Sequence, residues 1–76
     1  MASWRDLIKY PNLLGRADPR VVEILDTLEE LIPIEEGRDR LMRMSEWLDK
    51  AYNEELITPN EDVLIKHELI HGCGGF

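Results

Sequence analysis

A chain of 76 residues has room for one domain, and at this size folding buries little more than ~60% of the unfolded surface, so the core is thin. Hydrophobic residues at 43% and charged residues at 33% exclude the composition of a disordered segment, and a formal charge of −7 excludes phosphate backbones as natural partners. One cysteine excludes an intrachain disulfide. With no basic-then-apolar leader and no apolar run near the ~20 residues of a membrane span, a cytoplasmic protein without membrane contact is expected.

Ser3 followed by Asp6 resembles a capping box, and Trp4, Leu7, Ile8 and Tyr10 form a short apolar face ahead of Pro11, which predicts a short first helix over about 4–10. Residues 11–17 read as a loop whose leucines, Leu13 and Leu14, tuck into the core. Asp18-Pro19 is an N-cap with proline at the first helical position. Val21, Val22, Ile24, Leu25, Leu28 and Ile32 then recur at spacings of three and four, predicting a second helix to about Leu31, stopped by Pro33.

Gly37 and Arg38 are read as the opening of a third helix that reaches about Glu54, with Leu41, Met44, Leu48, Ala51 and Tyr52 in one stripe and Trp47 at its border. Met42 and Met44 flank Arg43 and so point to different sides, one of them outward. Arg38, Arg40 and Arg43 oppose the dipole at that helix start and are expected to answer the acids of residues 23–36. Thr58-Pro59-Asn60-Glu61 is the clearest start signal, because the threonine hydroxyl can accept from the Glu61 amide while the Glu61 carboxylate reaches back. It predicts a fourth helix over about 59–71, ended by Gly72.

The fold class is therefore all-α: a small compact bundle of about four helices, one short and N-terminal and three longer. It forms a single domain over 1–76, with 72–76 as a flexible Gly-rich tail. The two tryptophans, Trp4 and Trp47, are expected to plug the core.

Two patterns carry functional expectations. Glu23, Asp26, Glu29 and Glu30 lie in the acid-rich stretch and form a candidate contact for a protein with a basic surface, weighed against a plain solvated helix face. His67-Glu68-Leu69-Ile70-His71 spells H-E-x-x-H. One helical turn apart, two imidazoles can share a tetrahedral ion. The motif resembles the zinc-peptidase signature, and with Gly74 it follows the metzincin pattern as far as its glycine. That resemblance implies zinc on His67 and His71 and a general-base role for Glu68. The pattern's third histidine falls at the position after Phe76, so Cys73 or the Phe76 carboxylate would have to stand in as third ligand.

Ser45 sits in Met44-Ser45-Glu46, without the Asp-Ser-Leu that would make a chain of this size and acidity resemble an acyl carrier protein. No complete catalytic set is legible. The leading expectation is a small acidic helical protein that works by binding another protein, as an inhibitor, antitoxin-like, phage-encoded or accessory-subunit factor, with no cofactor required and with homo-oligomers compatible. The alternative is a metal-binding helical protein with zinc on His67 and His71, and a zincin-like peptidase ranks last.

Overall fold

The computed structural model describes residues 3–37 and 39–76. Two 3-10 segments, Trp4–Leu7 and Pro11–Arg16, precede three α-helices: α1 (Pro19–Leu31), α2 (Arg40–Asn53) and α3 (Pro59–Gly72). No strand occurs among the described residues. The Cα radius of gyration is 11.2 Å, against about 11.4 Å for a compact chain of this length. Among the described residues no helix is long and apolar enough to cross a membrane.

The start signals at Ser3, Asp18 and Thr58 are met locally. The Ser3 hydroxyl accepts from the first turn and the Asp6 carboxylate accepts from the Ser3 amide. Asp18 caps α1 through the Arg20 amide, ahead of Pro19. At α3 the full reciprocal box forms, with the Thr58 hydroxyl accepting from the Glu61 N–H at 3.1 Å and the Glu61 carboxylate accepting from the Thr58 N–H at 2.9 Å. These contacts satisfy amides that helix geometry leaves unpaired.

The α2 start differs from expectation. Asp39 is its N-cap, accepting from the Leu41 amide at 2.9 Å, so a short-side-chain acid takes the capping role that Gly37 and Arg38 were expected to open. Arg43 donates from Nε to the Glu35 carbonyl at 3.0 Å, a backbone contact rather than a carboxylate pairing with the acids of 23–36. Arg40 is exposed, and Arg38 lies outside the described residues.

The first helix is also shorter than predicted. It ends at Leu7, and the amides that would extend it are used elsewhere: Lys9 N–H donates to the Gly75 carbonyl at 2.9 Å and Tyr10 N–H to the Cys73 carbonyl at 3.1 Å. The residues read as a loop form the second 3-10 segment, with Leu13 and Leu14 packed against the core. The stretch read as a flexible tail thus lies along residues 9–10. Gly74 makes this approach sterically feasible, having φ +75° and room for no Cβ, which would sit 2.5 Å from the Tyr10 ring.

Trp4 is the hub of the packing. Its turn packs against both α1 and α2, while α3 packs against α1, α2 and the second 3-10 segment. Trp4, Leu25, Met44, Leu48, Ile65 and Leu69 are fully buried, and Trp47 is buried beside them. Indole N–H groups inside a core need acceptors, and both have one. Trp4 Nε1 donates to Asp26 at 2.9 Å, and Trp47 Nε1 donates to the Ile32 carbonyl at 2.8 Å, tying α2 to the end of α1. Met44 points inward and Met42 outward; Leu41 and Tyr52, at the two ends of the expected α2 stripe, are exposed.

Candidate functional site

Helix α3 inverts the usual distribution of charge. Its exposed positions are Pro59, Asn60, Val63, His67, Ile70 and His71, whereas its charged residues, Glu61, Asp62, Lys66 and Glu68, are half-buried at the margins. Those six exposed positions fall within an arc of roughly 120° at 3.6 residues per turn. Val63 is 66% and Ile70 47% exposed. A surface helix ordinarily turns its charged residues outward. The charges instead sit at the edges because they have work there: Lys66 pairs with Asp62 at 3.1 Å and reaches Asp49 of α2 at 3.8 Å, and Glu61 closes the capping box.

On that outward line the two histidines stand side by side, with ring centroids 4.6 Å apart and planes tilted by 40°. One turn of helix places them so, as the motif requires. Cys73 does not join them. It is buried in the core, where desolvation and the nearby Glu68 charge push its thiol up, and the thiolate is the form that binds metal. Phe76 packs partly against the same core. Glu68 lies half-buried beside Gly72. Among the described residues no group of three His, Cys, Asp or Glu side chains converges as a metal-ligand set, so the histidines are brought together as a pair.

The four acids of α1 separate into two kinds. Asp26 accepts from Trp4 Nε1 and pairs with Arg5 through both its oxygens, at 2.7 and 3.1 Å. The Arg5 guanidinium holds the Asp26 carboxyl below the usual aspartate range and is itself raised by the pairing. Glu29 accepts from the Trp4 backbone N–H at 3.0 Å. Both therefore dock the N-terminal turn onto α1. Glu23 and Glu30 are the exposed members.

Sequence reasoning did not foresee a cleft of about 340 Å³ between the end of α1 and the face of α2, walled by Ile32, Pro33, Met42, Arg43, Glu46 and Trp47 among others. Its only signal was the proline-glycine punctuation between the helices. No residue of α3 lines it, so it is separate from the histidine pair. The chain matches no protein-family model, no curated protein and no solved structure.

Proposed function

We propose that the protein acts by binding another protein chain through the outward line of α3. The observation that carries this reading is the exposure of Val63 and Ile70 on a line with no charged side chain, in a molecule whose formal charge is −7. Single exposed apolar residues are ordinary, but apolar residues aligned along one helix beside the polarizable rings of two histidines form a face suited to helix-mediated recognition. The acidic surface elsewhere favours solubility and disfavours contact with nucleic acid.

A photo-crosslinking amino acid placed at position 63 or 70, compared with one at the exposed Arg16 on the second 3-10 segment, tests this in the producing cell. Covalent protein adducts are expected from 63 and 70 and not from 16. Adducts from all three positions alike, or from none, overturn the reading.

A second reading, metal binding, is favoured by one distance. Zinc holds imidazole nitrogens at about 2.0–2.1 Å, which places two of them roughly 3.3–3.4 Å apart in a tetrahedral shell. Rings with centroids 4.6 Å apart on one helical face can reach that separation by side-chain rotation alone. The two readings use the same face.

A further inference from the structure

Two imidazoles amount to half of a tetrahedral ligand set, and no further ligating side chain joins them among the described residues. His67 and His71 are exposed and adjacent, and Cys73 is buried away from them. An ion bound there keeps two coordination positions open, whereas a closed zinc site takes four protein ligands.

We propose that two copies of the chain pair α3 against α3 around one zinc ion, held by His67 and His71 from each copy. This rests on the reading of α3 as the binding face and names its partner. Twofold pairing is isologous, so the same two residues arrive from the second copy and close the shell without any further ligand. Imidazole is a ligand for which zinc is well suited, and a four-imidazole tetrahedral shell is a zinc geometry.

The charge distribution selects the same face. Two copies that each carry −7 repel one another, and they do so least where the exposed side chains are Asn60, Val63, His67, Ile70 and His71. The doubly positive ion adds attraction at the seam. Val63 lies one turn before His67 and Ile70 lies between the two histidines along the helix, so both apolar residues run beside the pair on one side of it.

The size of the face makes the ion necessary. Helix α3 has 14 residues, hence is about 21 Å long, and a stripe about 10 Å wide along it covers roughly 200 Å² per copy. Stable interfaces bury about 800 Å² per partner. The apolar contact is too small to hold two copies together, so the dimer depends on zinc.

The test uses the full untagged chain, with zinc chloride as the probe, sedimentation velocity for mass and titration calorimetry for stoichiometry. The chelated protein is expected to be a monomer. Zinc should convert it to a dimer with one ion per two chains, and cobalt in its place should give the intense visible bands of a tetrahedral site. His67→Ala and His71→Ala should each lose both the dimer and the ion. Glu68→Gln, which removes no ligand, should keep both, and circular dichroism confirms that all three variants remain folded. Zinc bound one per chain to a monomer overturns the shared site but leaves metal binding standing. No zinc binding overturns both, and a dimer that persists in the histidine variants overturns the shared site. Crosslinks from positions 63 and 70 to a different protein, with no zinc dimer, overturn this inference while leaving the protein-binding reading intact.

Discussion

Among the described residues, Glu55 is the one residue other than glycine with positive φ, at 60°. It stands at the end of α2, where the Leu56 N–H donates to the Ala51 carbonyl at 2.9 Å and the Glu55 N–H to the Tyr52 carbonyl at 3.1 Å. This is the paired pattern of a Schellman motif, with glutamate at the left-handed position that glycine usually occupies. A side chain there crowds the carbonyl, and glycine removes that crowding at some cost in unfolded-chain entropy. Glu55→Gly is therefore expected to stabilise the fold by about 0.5–1 kcal/mol, read as a higher midpoint in urea with an unchanged slope. No change or a loss would mean that the backbone at Glu55 is not left-handed. The caps at Ser3, Asp18 and Thr58 were legible because each partner lies two or three residues away. The Glu55 turn was not, since no glycine marks it, and Asp39 was obscured by the glycine two places earlier. The roles of Asp26 and Glu29 were hidden for another reason: their partners in the first turn are separated from them by 21 to 25 residues.

At the scale of elements, the turn at Trp4–Leu7 is too short to be stable alone, and its attachment to α1 decides whether the N-terminus belongs to the fold. Asp26 does two jobs in that attachment, and two substitutions separate them. Asp26→Asn keeps an oxygen that can accept from Trp4 Nε1 and removes the charge facing Arg5. That pair is more than a third exposed on both sides, so solvent screening limits its loss to less than about 1 kcal/mol. Asp26→Ala also orphans the indole N–H of a fully buried tryptophan, adding about 1–2 kcal/mol. The two also differ in acid. The folded-state value of Asp26 lies below its ordinary value of 3.8, so its charge contributes stability that is fully present above that value and lost as pH falls through the folded one. The gap between wild type and Asp26→Asn should close on acidification below 3.8, whereas the gap to Asp26→Ala should persist, because a protonated carboxyl still accepts from the indole. Chemical unfolding at neutral pH and in acid measures both gaps, and parallel closure would assign the whole effect to charge. The helices were legible because their apolar residues recur every three or four positions. Their mutual arrangement was not, because it depends on Trp4 wedging its turn against both α1 and α2. For α3 the apolar residues surround the helix, so periodicity could not say which side faces out; the histidine pair was legible, the uncharged line around it was not.

For the whole molecule the governing quantity is a charge of −7 spread over a body of 28 × 28 × 17 Å. At 0.01 M salt the screening length is about 30 Å, as long as the molecule, and at physiological salt it is about 8 Å, so only near neighbours still interact. Two partner classes respond in opposite directions. A basic protein docking on Glu23 and Glu30 would bind more weakly as salt rises, because attraction is being screened. A second copy of the chain would bind more tightly, because the screened interaction is repulsion. With zinc held at saturation, so that ion uptake is not what changes, the dimer is expected to tighten between low and physiological salt. Reversing Glu23 and Glu30 to lysine shifts each copy by four charges, to −3 from the native −7, without touching α3, and should flatten that dependence while leaving the metal stoichiometry unchanged. Glu29 is unsuitable for the same experiment because its carboxylate holds the Trp4 amide, so its reversal would confound repulsion with unfolding. Sedimentation equilibrium across salt concentrations makes the measurement. A dimer that weakens as salt rises would show that the contact is made by opposite charges, and would move the interface off the uncharged line of α3.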